Sequence, residues 1–541
     1  MKSVIPLSLM LFLCLLTRAQ FKSIDQGPVF EEPEKGFSKI LQLKNGSTMF
    51  FHITLKDGIN LKIYDPAHKQ KVEKHIEPTY GKLKDASIDG IFEINGDGVL
   101  LVSEIDEKRP VLYRLIIDGK TGKLKEEKQI AELNKYNLGS GYAMLYGGVP
   151  APDFYVRKDP NSDNYALAML NSFESDRNKR IEIVFYGNDH KELTRAYYSS
   201  PQNKYKYLRY IDMAVIGKDK VSVLAYAYNT KSSGGKESEL VLANVDAGAT
   251  SVDLHELGFS KDEVVTGGIT RYNPITKKII LLAAAKADKR NQYISFIAAV
   301  DPYKRTIDKV TTVYPVHANE KSTELFGKKN EYKGMPQNLF INKDGSFSIV
   351  FEEITVTYQD SYRSRSITQS GSYRSYPITE LGNIAVSRFD VEGKEIGSYL
   401  VPKNHRLLDV YLRPFYHSDR EGSAQKLSGG NQFKSFAYLN GNEKTYVLFN
   451  DVDWNAESVQ KGKLTTITGV GECDGFYFDI AGREVMPLRS FVFGKPESKK
   501  ENNLALFAIS DYNPDTNMYV TLKLEKEGRE KGVRVVWLQP Q

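Results

Sequence analysis

The chain has 541 residues, is 41% hydrophobic and 26% charged, and carries 33 Tyr and 26 Phe against 2 Trp. That apolar content excludes a disordered chain, and a mean hydropathy of −0.42 with one long apolar run, 4–16, excludes a bundle of membrane-spanning helices. The net charge of +6 is too small an excess for a general nucleic-acid binder.

The first element is a leader. Lys2 supplies a positive charge, 4–16 an apolar core, and Thr17-Arg18-Ala19 a small-x-small cleavage site. The pattern predicts an export signal over 1–19, too short to span a bilayer and stay there. Losing Lys2 and Arg18 leaves 72 cations against 68 carboxylates, a mature charge of +4. Cys473 is then the one remaining cysteine, so no internal disulfide forms and the thiol is expected in the core. A large exported chain without disulfides suits a Gram-negative envelope, periplasmic, outer-membrane associated or secreted, and peripheral at most to the membrane.

Residues 20–37 read as an N-terminal extension and 38–541 as one domain. One short helix is predicted at 128–135. Elsewhere strand patterns dominate, and unbroken apolar runs such as 99–102, 279–282 and 446–449 predict strands buried on both faces. A unit of four strands repeats around these runs. Polar turns at 44–46, 95–98, 159–163, 217–220, 273–278, 342–345 and 440–443 separate first and second strands. Asp65, Asp118, Asn188, Asp246, Asp301, Asp390, Asp479 and Glu525 open the turns between third and fourth strands, about 66 residues apart on average. The final unit reads as strands at 488–493, 504–510, 517–524 and 533–538. Serial four-stranded units predict an all-β fold, a β-propeller of eight blades with seven as the alternative.

No nucleophile elbow, zinc-protease helix or complete phosphate loop is present. Three loops alternate carboxylate and amide oxygens: Asp159, Asn161 and Asp163; Asp451, Asp453 and Asn455; and Asp511, Asn513 and Asp515. Oxygens at i, i+2 and i+4 can wrap Ca²⁺. The loops lack the Gly and Glu of a full calcium loop, and plain turns use the same residues. Calcium is therefore the one cofactor the sequence raises. Glu352 and Glu353 are adjacent and should face opposite sides of a strand.

The strongest functional signal is where the chain spends extra residues. In antiparallel units the first and third turns share one end; the second turn and the unit-to-unit link share the other. Most long segments fall at the second end: 139–152, 199–209, 315–333, 357–382, 404–431 and 451–463. They are rich in Tyr and Arg, notably Arg195, Tyr205, Tyr207 and Arg209; Tyr362, Arg363, Arg365, Tyr373 and Arg374; and Tyr411, Arg413 and Tyr416. Such side chains are enriched at binding surfaces.

With its leader and its repeating turns, the chain resembles exported, propeller-type repeat proteins of Gram-negative cell envelopes. It lacks the Trp-Asp signature of WD repeats and the complete box of sialidase-like propellers, of which 342–345 is a fragment. The expected role is a non-catalytic interaction protein that binds an envelope protein or complex through the Tyr/Arg face, with an accessory subunit of an outer-membrane translocon such as type IX secretion as one setting. The alternative is a carbohydrate-active enzyme or glycan-binding propeller with a central site.

Overall fold

The computed structural model describes residues 21–541 except 55–56, 80–85, 136–140, 142–143, 145–148, 177–178, 199–203, 230–237, 259–263, 287–292, 309, 364–371, 419–420, 443, 481–485, 499–500, 528–529 and 541. The chain is 58% strand and 6% helix. Among the described residues eight antiparallel sheets follow one another; seven have a core of consecutive strands, over 35–76, 87–132, 153–197, 207–256, 264–313, 335–401 and 437–491, with Gln425–Ser428 added to the first and His405–Leu408 to the sixth. The eighth is composite. Glu501–Ala505 and Asp511–Asn513 form its inner edge, Met518–Glu527 and Glu530–Gln539 follow, and Lys22–Gln26 closes its outer edge against Glu530–Gln539. This is an eight-bladed β-propeller in which the two ends of the described chain share one blade.

Hydrophobic patterning explains the ring. Each of eight buried clusters lies between two successive blades, so every blade is sandwiched. The second strands are apolar on both faces for this reason. Leu100 and Val102 pack toward blade 1, whereas Val99 and Leu101 pack toward blade 3. Ile280 and Leu282 likewise face blade 6, and Ile279 and Leu281 face blade 4. The acidic turns fold as the sequence predicts: Asp65, Asp118 and Asp301 each accept backbone N–H groups two to four residues on.

Three expectations are corrected. Residues 128–135 contain no helix; Leu124–Glu132 is the outer strand of blade 2, and its polar character comes from facing water on an edge. Leu488–Phe491 belongs to blade 7, as its fourth strand. Glu525 lies inside a strand opposite Asn503 and opens no turn, because the last blade takes its fourth strand from the N-terminal segment. Phe21 anchors that segment, buried beside Tyr446 and Tyr477 at ring distances of 4.9 and 4.8 Å.

Candidate functional site

The inner strands of the blades surround the axis. A segment between blades 6 and 7 turns inward instead of projecting. Phe415 packs on the backbone of Gly267 in blade 5 and donates its N–H to Pro336 of blade 6 at 2.9 Å. The Tyr416 hydroxyl bonds Glu352, which also accepts from Lys403 at 2.7 Å; both members of that ion pair are fully buried. Glu421 takes Arg271 of blade 5 at 2.6 Å and Asn338 of blade 6 at 2.5 Å. The Glu421 and Gly422 carbonyls accept from Lys39 of blade 1 and Ile91 of blade 2 at 3.2 and 2.7 Å. Gln425–Ser428 then pairs with the inner strand of blade 1, and Phe433 accepts from Asn450 of blade 7. The segment is a plug.

A layer of charge braces it. Arg157 of blade 3 holds Asp212 of blade 4 at 2.8 Å, and Asp212 also accepts Arg271 at 3.1 Å and the Thr270 N–H at 2.8 Å. Burial pushes the Asp212 carboxyl up, but Arg157 and Arg271 outweigh it and hold the group below the usual carboxylate range. The four inner strands of blades 2, 4, 5 and 6 each carry a β-bulge just before this layer, at Asp89, Ile211, Thr266 and Gln337. Bulges re-aim side chains. Here they precede Asp212, Arg271 and Asn338, the residues that reach the plug or its braces.

Nearer the elaborated end lies a second charged group. Asp153 and Tyr155 precede Arg157 on one strand, and Tyr155 stacks on Tyr210 with ring centroids 3.9 Å apart. Asp89, Asp153, Arg209 and Arg413 all act electrostatically on the Tyr155 hydroxyl, whose pKa burial raises. Burial, reinforced by Asp153, lifts the Asp89 carboxyl to about 7 although Ser103 and Ser87 donate to it.

The elaborated end carries a cleft of about 1220 Å³ between blades 5 and 6. Tyr293, Tyr314, Phe326 and Tyr332 line its walls, with Glu353 and Asn383 also lining it. Glu353 accepts the Lys333 and Asn383 N–H groups, each at 3.1 Å; burial raises its pKa. Glu352 and Glu353 thus face opposite sides, one into the plug and one into the cleft. Beside the cleft, Phe347–Arg363 and Ser372–Phe389 pair along a long hairpin that carries exposed Tyr358. Leu408 and Tyr411 are exposed nearby on the approach to the plug.

The sequence-selected residues do not form one patch. Tyr205, Tyr207 and Tyr416 are core residues at 3%, 8% and 8% exposure: Tyr205 packs between blades 3 and 4, Tyr416 between blades 6 and 7, and the Tyr207 ring lies 5.7 Å from that of Tyr228. Arg195 is tied to Glu182 and Glu192 on the outer strand of blade 3. Arg209 is half-buried, donates to the Val265 carbonyl of blade 5 and lies 5.2 Å from the Tyr226 ring, Arg413 is exposed, and Tyr411 is exposed. Ser361↔Arg374, Tyr362↔Tyr373 and Arg363↔Ser372 pair near the hairpin tip, while Arg365 lies outside the described residues. Sequence reading missed Asp89, Tyr155, Arg157, Asp212 and Arg271. The available signal was a charge in the first strand of successive repeats, where apolar residues otherwise dominate.

The oxygen-rich loops spend oxygens on donors of their own turns and of neighbouring blades. Asp159 accepts from Asn161, Ser162 and Gly217, and Asp163 pairs with Lys44 at 2.6 Å. Asp451 accepts the Asn455 amide at 2.7 Å, Asp453 offers its carbonyl to Arg489, and burial raises the Asp451 carboxyl. Asp511 accepts the Gln42 N–H at 2.7 Å, and Asn513 accepts from Asp515 and Thr516. Among the described residues no group of three or more His, Cys, Asp or Glu is placed to hold a metal ion, and no helix is long and apolar enough to cross a membrane.

Fold and site together define a plugged eight-bladed β-propeller with one elaborated end. No family model and no curated protein matches the chain. Among solved structures it is similar to a prolyl endopeptidase, with TM-score 0.37 and 11% identity over 92% of this chain and 55% of that one; it thus spans little more than half that protein's length. It is also similar to a lectin from Burkholderia pseudomallei (TM-score 0.35, 9% identity, 84% of this chain and 99% of that one). A third is the β-propeller domain of the Trilobed protease from Pyrococcus furiosus (TM-score 0.31, 9% identity, 84% and 93%).

Proposed function

We propose that this chain is a non-catalytic interaction protein of a Gram-negative cell envelope, an accessory subunit that holds a protein partner on its elaborated end. The observation that carries the reading is the blade 5–6 cleft, walled by Tyr293 and Tyr314 and flanked by a long hairpin with exposed Tyr358. Rigid scaffolds with loops elaborated at one end commonly bind there, and clustered Tyr side chains supply contact area at low entropic cost. The plug supports the same reading, because it occupies the axis where a central site would lie. Co-purification from native membranes with mass spectrometry tests it, using a variant with Tyr314, Tyr358 and Tyr411 changed to Ala. The expected result is loss of the partner from a variant that melts like the parent; equal recovery sinks the reading.

A second reading, a glycan-binding or carbohydrate-active propeller, is favoured by one observation, the neighbouring carboxyls of Asp89 and Asp153 beside Tyr155 at the channel mouth. Its test is glycan-array binding and glycan cleavage by the parent and by Asp89→Asn.

A further inference from the structure

The inner strand of blade 6, Met335–Ile341, ends its ladder at Met335, opposite Glu352. Its neighbour Phe347–Arg363 runs on past that point, bulges at Glu353, and from Ile354 keeps unbroken register with Ser372–Phe389. The far side of Ser372–Phe389 is covered there by His405–Leu408. Among the described residues no strand pairs with the other side of 354–360. Pro377 shows which groups lie bare. Its carbonyl accepts the Asp409 N–H at 2.9 Å on the covered side, so it points away from Tyr358, the residue opposite it. Opposite residues of an antiparallel pair either bond each other or both point outward. Tyr358 therefore turns its N–H and C=O outward, and by alternation so do Val356 and Ile354.

Bare edges are usually blunted by Lys, Pro or a bulge, and 354–360 has none of these. Thr355, Thr357, Tyr358 and Gln359 are exposed and uncharged. The residues ahead of Met335 leave the ladder, with the Tyr332 N–H held by Asn319 at 2.9 Å. The cleft opens beside the place they leave, and Ile354 and Thr355 line it together with Tyr293, Tyr314 and Phe326. A row of outward N–H and C=O groups matches the spacing of another extended backbone, and an adjoining cleft takes its alternate side chains. Charge along the cleft is balanced, Lys329 and Lys333 against Glu331 and Glu353, while Lys403 and Glu380 are held by Glu352 and Arg406. An uncharged strand fits such a wall.

Resting on the reading of the chain as a protein-binding subunit, we propose that 354–360 is a strand acceptor. An extended, uncharged segment of the protein partner adds to blade 6 along this edge. It pairs with the backbone of Ile354, Val356 and Tyr358 and lays alternate side chains into the cleft.

Amide hydrogen exchange of the full chain tests this with two probes: a capped heptapeptide of alternating threonine and tyrosine, and the same peptide methylated on every backbone nitrogen. The first should slow exchange of the Val356 and Tyr358 amides by about tenfold or more, and the methylated peptide should leave it unchanged. Tyr358→Pro removes an outward donor and leaves the hairpin ladder whole. It should weaken the peptide by about tenfold or more at an unchanged melting temperature, whereas Tyr358→Val, which keeps the donor, should bind like the parent. The proposal is overturned if the peptide leaves those amides at the free rate, if the methylated peptide binds equally well, or if Tyr358→Pro binds like the parent. A dimer of the chain alone that protects the same amides also overturns it, by giving the edge to a second copy. If the complex recovered from membranes leaves 354–360 exchanging at the free rate, this site falls and the protein-binding reading stands. If the peptide pairs with the edge and no membrane partner is recovered, the site stands and that reading falls.

Discussion

The Glu352–Lys403 ion pair fixes the plug to blade 6, and its removal measures what the plug contributes. Both side chains are fully buried at a separation of 2.7 Å, and the Tyr416 hydroxyl of the plug shares Glu352. Glu352→Gln keeps the size and an acceptor for Tyr416 but strands the Lys403 ammonium without its counter-charge. Breaking one side of a buried pair costs about 3–5 kcal/mol. For 541 residues, an unfolding entropy of roughly 2.1 cal/mol/K per residue gives about 1.1 kcal/mol/K, so the melting temperature should fall by about 3–5 °C. Lys403→Met should cost a similar amount. The double variant removes both charges, and a coupling energy of about 2–3 kcal/mol should make its loss smaller by that amount than the sum of the two single losses. Denaturant unfolding of the four proteins supplies the cycle, and protease cleavage between 409 and 434 reports release of the plug. If each single variant lies within about 1 kcal/mol of the parent, or the double variant loses the sum of the two, the pair does not secure the plug.

Phe21→Ala should destabilise by about 3–5 kcal/mol through the cavity left between blades 7 and 8, read by chemical denaturation; a loss below about 1 kcal/mol would mean that the N-terminal strand does not close the ring. Because the folded Asp89 carboxyl titrates near 7, above its unfolded value, the native protein keeps a proton the unfolded chain has released. Stability should therefore decline as pH rises from about 4 to about 7, and Asp89→Asn should flatten that slope in melts across the range; an identical slope refutes the assignment. Cys473 is fully buried and burial pushes its thiol up to about 12, so a thiol reagent should label it only after denaturation, and rapid labelling of the native protein would contradict its placement.

Turn chemistry and the two-sided apolar strands determined the blade architecture from sequence alone. An Asx residue bonding its own backbone is a local event, as at Asp118, and a strand packed between two neighbours must be apolar at every position, as at 99–102. Both can be read without knowing where any other segment lies. Burial of Cys473 was legible for the same reason. The closing strand was not legible, because Lys22–Gln26 pairs with Glu530–Gln539 across the whole chain length, and a five-residue edge strand carries little pattern of its own. Nor was the plug. Segment 404–431 reads as a surface loop rich in Tyr and Arg; only the closed ring creates an axis that Phe415, Tyr416 and Glu421 can fill. The site divides along that line. Tyr and Arg are concentrated toward one end of the molecule, but whether each ring seals an interface, as Tyr205 does, or meets solvent, as Tyr358 and Tyr411 do, depends on which neighbour it faces. That choice is a contact between distant segments. Tertiary packing decides it, because a tyrosine has the apolar body for one environment and the hydroxyl for the other.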